Sequence, residues 1–328
     1  LDDFLETELS QEPQKGFVIG VGANEVDGVL LPIATSLTYS LSSDKVLVTG
    51  AVSASGDSSA QMEMAVQMTQ QSAQEALTLV KNYFQALNPS ISMAKLLGEF
   101  LAKLTIHHQL LSASYNVGGP SAGYALALNT LSAILHIPIY HDFGITGAPW
   151  TKGVTKGEVG GSVIIGGHVK KTEKVLQYLR RMYMPRQNYK SLETEFLLGY
   201  WNQNKDILGV THFGDLVPET IWLGDDYEEL MLELIDQRIK YKIKQYQHNE
   251  QDEAANENII RLKSIIKQQA EKEIVRKIEA IKNYISNPDH DPLISLESIF
   301  QEDQKVVKKV KRMFGAFDPL ASMIKKRF

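Results

Sequence analysis

Short apolar runs broken by glycine, asparagine and aspartate mark the first part of the chain. From Gly16 to about Val52 they read Phe17-Val-Ile-Gly-Val, Gly28-Val-Leu-Leu-Pro-Ile and Lys45-Val-Leu-Val-Thr. Runs of this length bounded by turn formers predict β-strands, arranged as a meander. The period then changes. Over residues 60–86, Met64, Val66, Met68, Ala73, Ala76, Leu77 and Val80 recur at helical spacing, which predicts a helix with these residues on or near one face. Leu104-Thr-Ile-His-His-Gln-Leu-Leu predicts a further strand, and Gly118-Gly-Pro-Ser-Ala-Gly opens a strong helix running to about Leu135. Ile137-Pro-Ile-Tyr and a glycine-dense stretch from Gly144 to Gly167 follow, then a helix from near Lys170 that ends before Pro185.

After about Asp225 the texture becomes rich in Lys, Glu, Gln and Asn, with isoleucine at helical spacings. Ile274, Ile278, Ile281 and Ile285 make one seam; Ile259, Leu262 and Ile266 make another. The pattern predicts a helical appendage with at least one helix pair, broken at Asn287-Pro288 and Phe317-Asp-Pro. Near the end, Lys305-Val-Val-Lys-Lys-Val-Lys-Arg is basic and amphipathic. The elements predict an α+β chain: a polar linker over 1–15, a main domain over 16–235 and an appendage over 236–328, for which we expect an assembly or docking role.

Composition narrows the classes. The chain has 328 residues, more than one compact core normally occupies. A net charge of -5 gives no overall basic field of the kind that attracts nucleic acid. Cysteine is absent, which excludes a disulfide framework, a thiol nucleophile and a thiolate metal site, and fits a reducing compartment such as cytoplasm or mitochondrial matrix. No apolar run reaches the roughly 18 residues of a membrane span. Residue 1 is leucine, so the lack of a targeting signal carries no information.

Candidate chemistry starts at Gly119-Pro120-Ser121-Ala122-Gly123. Proline suits the first turn of a helix, and a serine there sits beside free N–H groups and the positive end of the helix dipole. Such donors can stabilise an oxyanion, and the small flanks admit a substrate backbone. Taken alone, the pentapeptide describes no more than a capped helix start. A nucleophilic serine also needs a base, which can be histidine or lysine. Lysine serves only when neutral, hence buried or beside another cation. Lys171 is the candidate: it follows Gly166-Gly167-His168-Val169-Lys170 and opens a helix after Val163-Ile-Ile.

These landmarks, in this order, resemble the proteolytic domain of the Lon protease family. The family has its nucleophile in a Gly-Pro-Ser-Ala-Gly helix start, then a Thr-Gly pair, then a Gly-Gly-x-x-x-Lys segment that carries the base. Here Ser121 is followed by Asp142, by Thr146-Gly147 and by Gly166-Gly-His-Val-Lys-Lys171. Upstream, Val46-Leu-Val-Thr-Gly50 looks like the family's strand before its long helix, and Val66-Gln-Met-Thr-Gln-Gln-Ser-Ala-Gln-Glu-Ala-Leu resembles that helix. The resemblance covers about residues 16–235. It implies a Lon-type fold in which Ser121 is the nucleophile, Lys171 the general base and Thr146 the holder of the lysine amine. His107 falls in the strand where the family often carries a histidine, and otherwise reads as a strand residue satisfied by its neighbours.

The sequence departs from the family in three places. Val117-Gly118 replaces the usual Lys-Asp before the nucleophile. The family's Thr-Gly-Glu becomes Thr146-Gly147-Ala148. The stretch from Thr146 to Gly166 is longer than usual, and Gly153, Gly157, Gly160 and Gly161 suggest an extended hairpin. Thr155-Lys-Gly-Glu158 is a second alignment for the Thr-Gly pair, but Thr146 keeps the spacing from Ser121 without a gap. The resemblance implies a serine endopeptidase acting on unfolded or damaged polypeptides in protein quality control, working as a homo-oligomeric ring, most often a hexamer. The alternative is a Lon-fold scaffolding subunit with reduced or no proteolysis. No Gly-x-x-x-x-Gly-Lys-Ser/Thr phosphate loop occurs, so no cofactor is expected in this chain, and ATP enters only through an ATPase module outside it.

Overall fold

Seven strands build the main sheet in the order β3-β4-β2-β1-β5-β8-β9. They are β1 (Phe17–Ala23), β2 (Gly28–Tyr39), β3 (Val46–Gly50), β4 (Leu104–Leu110), β5 (Phe143–Ile145), β8 (Arg181–Pro185) and β9 (Asp206–Val210). A two-stranded ribbon pairs β6 (Ala148–Trp150) with β7 (Gly161–Val163). The computed structural model describes residues 12–24, 26–39, 45–50, 59–87, 104–111, 120–150 and 159–286. The expected linker residues 1–11, Val117 and Gly118, the Thr155–Glu158 alternative, the Asn287 and Phe317 breaks and the basic run after Lys305 lie outside them.

The three strands expected before residue 52 are present, but they do not form a simple meander. β1 and β2 are antiparallel neighbours, from Phe17↔Ala34 to Ala23↔Gly28. β4 then lies between β2 and β3, antiparallel to the first and parallel to the second. A parallel pair needs a long crossover, and helix α1 (Ser59–Leu87) lies in the chain between β3 and β4. Residue periodicity identifies strands, not their neighbours. From β1 onward the sheet is parallel through β5, β8 and β9.

Helix α1 covers the predicted span, but its expected face is only half right. Ala73, Ala76, Leu77 and Val80 are buried, whereas Met64, Val66 and Met68 are exposed. At 100° per residue Met64 and Met68 point away from the arc of Ala73, Ala76 and Val80. α2 (Gly123–Leu135) is buried along its whole length, packed against α1 on one side and β1 and β2 on the other. Its sequence is accordingly apolar all round. Its polar members are paired internally: Asn129 donates to the Ile33 carbonyl at 2.9 Å, and Ser132 donates to the Ile137 carbonyl at 2.6 Å.

α3 (His168–Tyr178) covers the opposite face of the sheet. Gly20 faces Ala125 of α2, while Gly144 lies against Val21 and Val175 of α3. Successive strand residues point to opposite faces, so Gly20 and Val21 separate the two helical layers. Beyond β8 come α4 (Arg186–Lys190), α5 (Thr194–Trp201) and α6 (Phe213–Thr220), then the long helices α7 (Asp225–Gln247) and α8 (Glu253–Ser286). Among the described residues, no helix is long and apolar enough to cross a membrane.

The chain divides into two units, residues 1–275 and 276–328. The boundary expected at 235/236 falls inside α7. Two side chains of α7 explain why that helix stays with the first unit. Arg238 donates from Nε to Asp206 at 2.8 Å and from Nη1 to Glu219 at 2.9 Å. Lys242 reaches Asp206 at 3.2 Å and the Ile207 carbonyl at 2.9 Å. The expected isoleucine seams are real: Ile259, Leu262, Ile266, Ile274, Ile278 and Ile281 are all buried. Gln14, placed in the linker by its polar surroundings, forms a bridge with Ile139.

Asp206 is fully buried and carries the charge that two cations of α7 need. Burial raises its pKa, and Arg238 and Lys242 outweigh that and hold it below the usual carboxylate range. Removing one partner of a buried pair leaves a charge without compensation. Asp206→Ala should therefore cost about 3–5 kcal/mol, read as a drop in the denaturation midpoint. Asp236→Ala, which deletes the more exposed partner of Arg180, should cost less than about 1 kcal/mol.

Candidate active site

The nucleophile candidate sits where a helix begins. Pro120, Ser121 and Ala122 form a single 3-10 turn that runs into α2, and Ser121 is half-buried. The following Gly123 is required by packing: a Cβ there would overlap the Pro149 ring of β6. The segment after β5 is fastened to this turn. Gly147 N–H donates to the Ser121 carbonyl at 2.8 Å, and Tyr124 N–H donates to the Gly147 carbonyl at 3.0 Å. The Thr146 hydroxyl also donates to the Ser121 carbonyl at 3.3 Å. Thr146 is itself fully buried, and its N–H donates to the Tyr183 carbonyl of β8 at 3.0 Å.

Lys171 approaches from the other side of the sheet edge. It lies in the first turn of α3, whose start is set by Gly167 at φ 64, a left-handed conformation that glycine adopts without steric cost. The Gly167 carbonyl accepts the Lys171 N–H at 3.0 Å, closing that turn. The Lys171 side chain points inward, 4 % exposed as a residue, and its Nζ donates to Thr146 Oγ1 at 3.3 Å. Thr146 therefore joins the other two predicted residues, contacting the lysine amine and the Ser121 main chain through one hydroxyl. Its neighbours in α3 behave differently. Lys174 reaches out to Asp27 at 3.7 Å, as a surface lysine does.

Burial decides the protonation of Lys171. Loss of hydration disfavours the ammonium and pushes its pKa down to about 8. No carboxylate among the described residues counters this. The positive end of the α3 dipole acts in the same direction. His168, one turn earlier in α3, has its pKa lowered by burial and then by Lys171, and bonds Ser191 Oγ at 2.9 Å.

Other sequence candidates fall outside this cluster. Asp142 stands before β5, at the end opposite Thr146, and its carboxylate holds the buried Arg181 guanidinium at 2.9 Å. His107 pairs with Thr49 across β3 and β4 at 2.6 Å, so its neighbours do satisfy it. The adjacent His108 is the more buried of the two. It bonds Thr35 at 2.7 Å, and burial followed by the nearby His107 lowers its pKa to about 3, which keeps it neutral. The glycine-dense stretch does contain a hairpin, with β6 and β7 antiparallel from Ala148↔Val163 to Trp150↔Gly161. What sequence reading missed is the main-chain clip through Gly147, Tyr124 and Tyr183. Main-chain pairing leaves no mark on residue identity.

The buried amine should be visible directly. In protein labelled with 13Cε-lysine, one lysine resonance should titrate near pH 8, apart from the bulk lysines, and vanish in Lys171→Met. Bulk-like titration of every lysine would show that the amine is hydrated and cannot serve as a base at neutral pH.

The model of the Lon protease (S16) C-terminal proteolytic domain matches residues 2–197, a span that includes Ser121, Thr146 and Lys171 and ends before α7 and α8. The chain is 25 % identical over 190 residues to the Lon protease of Finegoldia magna, covering 58 % of this chain and 21 % of that protein. It is 32 % identical over 131 residues to the Lon protease of Dictyoglomus thermophilum, covering 39 % of this chain and 14 % of that protein. The matched part thus spans about a fifth and about a seventh of these relatives. On the family match, the chain belongs to the Lon protease (S16) C-terminal proteolytic domain family.

Proposed function

We propose that this chain is a serine endopeptidase in which Ser121 attacks the scissile carbonyl and Lys171 is the base. The observation that carries the reading is the buried Lys171 amine, without a carboxylate partner among the described residues and hydrogen-bonded to Thr146, which in turn bonds the Ser121 main chain. A lysine held this way is neutral in a useful fraction of molecules near pH 8 and can take a proton from a serine hydroxyl. By accepting one N–H of the amine, Thr146 leaves the nitrogen lone pair free to face the nucleophile.

In the reaction, Ser121 Oγ adds to the carbonyl carbon as its proton passes to Lys171 Nζ. The negative charge on the carbonyl oxygen falls to main-chain N–H groups that precede Tyr124 in the turn, since Tyr124 N–H is already given to Gly147. The Lys171 ammonium then protonates the leaving amine, and the acyl-enzyme is opened by water through the same base. The substrate class is exposed or unfolded polypeptide, and a closed homo-oligomeric ring, most simply a hexamer, would restrict access to the site.

Ser121→Ala and Lys171→Ala should each abolish peptide cleavage and labelling by a fluorophosphonate or peptidyl boronate while leaving the fold intact. Lys171→Arg should be equally inactive, because guanidinium stays protonated. Labelling that persists in Lys171→Ala would rule out lysine as the base. An intact wild-type chain that neither cleaves nor labels would favour the non-proteolytic scaffold. The active form of the base is the deprotonated one, and burial lowers its pKa. Activity should therefore rise with pH through about 8 and level off above it, falling about tenfold per unit well below that value. A profile flat from about pH 5 to 9 is incompatible with a lysine base. Light scattering should give a closed oligomer; a fully active monomer at micromolar concentration would contradict the ring.

A further inference from the structure

A cavity of about 260 Å³ opens at the carboxyl ends of β8 and β9, and its lining includes none of Ser121, Thr146 and Lys171. One wall is the β9 end with α6, and the other is α8, which lies beyond the family match. Tyr183 is shared with the catalytic region: it lines the cavity, and its carbonyl holds Thr146. All of the lining belongs to the first unit.

The charges around this cavity are used unequally. Deeper in the protein three cations are spent on carboxylates: Arg181 on Asp142, Arg238 on Asp206 and Glu219, and Lys242 on Asp206. At the cavity, Lys263 stands 3.8 Å from Glu219, and Lys267 stands 3.8 Å from Asp215 and 4.0 Å from Glu271. These separations are ion pairs without hydrogen bonds. Among the described residues, neither ammonium donates a side-chain hydrogen bond, and neither does the guanidinium of Arg186, also in the lining. Three cations thus face one cavity with their donors unspent. Both carboxylates there have other commitments. Glu219 accepts from Arg238, and Asp215 lies 3.5 Å from His212 Nδ1.

The remaining lining is apolar, from Leu208, Leu216, Pro218 and Ile266. Lys263 and Lys267 are one turn apart on α8 and flank Ile266, so charge and apolar surface alternate along a single wall. We propose that this cavity is a second binding site, for a small molecule with an anionic head and a short apolar body. The head would be a carboxylate or a phosphate taken by Arg186, Lys263 and Lys267; the body would rest on Ile266, Leu208 and Leu216. The size suits a small ligand, since the cavity is below the roughly 300–1,000 Å³ of drug-sized sites. This inference does not depend on peptidase activity.

Calorimetry on the full chain separates the two heads. The probes are N-acetyl-L-leucine, its neutral amide and inorganic phosphate. If the head is a carboxylate, acetyl-leucine binds with a millimolar or lower dissociation constant and the amide binds at least tenfold more weakly. If it is a phosphate, phosphate binds tighter than acetyl-leucine and competes with it. In either case Arg186→Gln and Lys263→Gln should each weaken binding at least tenfold without moving the thermal midpoint. Leu208→Ala, a change to the apolar wall, should weaken acetyl-leucine and spare phosphate. Binding of neither anion, or binding unaffected by both cation variants, overturns the proposal.

Discussion

An amine kept from water and, among the described residues, left without a carboxylate is the condition around which Ser121, Thr146 and Lys171 are arranged. Lys171 would be an ordinary ammonium on the surface, and a salt-bridged one beside an aspartate. It is buried and, among the described residues, meets a threonine hydroxyl and no carboxylate, and its pKa drops to about 8. Satisfying the condition takes three separate elements. α3 delivers the lysine in its first turn, the end of β5 delivers Thr146, and the 3-10 turn before α2 delivers Ser121. The clip between Gly147 and the Ser121 turn sets their relative positions, because it ties main chain to main chain and leaves side-chain rotamers no say.

The buried arginines show what changes when the partner changes. Arg181 is buried, and burial alone would disfavour its charge. Asp142 reverses the balance, and its pKa moves up. Arg238 follows the same logic with Asp206 and Glu219. Depth is therefore not what distinguishes Lys171 from the buried arginines; the presence of a carboxylate among the described residues is. The same paired charges attach α7 to the sheet, so the helical part after the family match is joined to the domain by electrostatics as well as by apolar packing.

This organisation separates two kinds of polar group. Within the core, some polar side chains donate to main-chain carbonyls, as Asn129 does to Ile33 and Ser132 to Ile137, which spares the cost of burying those donors with an unmade hydrogen bond. At the edges of the parallel strands, polar groups are left with capacity. Thr146 stands at the end of β5, and Arg186 follows the end of β8. Carboxyl ends of parallel strands are where such sheets generally present their chemistry.

Much of this was legible in the residues themselves. Strands β1 to β4, helices α1 to α3 and the buried isoleucines of α8 follow from hydrophobic period, which acts locally and is written directly in the order of side chains. Ser121, Thr146 and Lys171 were picked out as a spaced set by their resemblance to the Lon proteolytic domain; local chemistry accounts only for the glycines beside them, at the start of α2 and at positive φ before α3. Other features were decided only by tertiary structure. The place of β4 between β2 and β3 depends on how a crossover helix lies across the sheet. The exposure of Met64 and Met68 depends on which arc of α1 meets α2. The attachment of α7 to β9 across the expected 235/236 boundary depends on where Asp206 meets Arg238 and Lys242, residues more than thirty positions apart in sequence. The lowered pKa of Lys171 depends on what surrounds its amine. Each of these is a long-range contact, and side-chain order along a chain carries no term for which distant surfaces will meet.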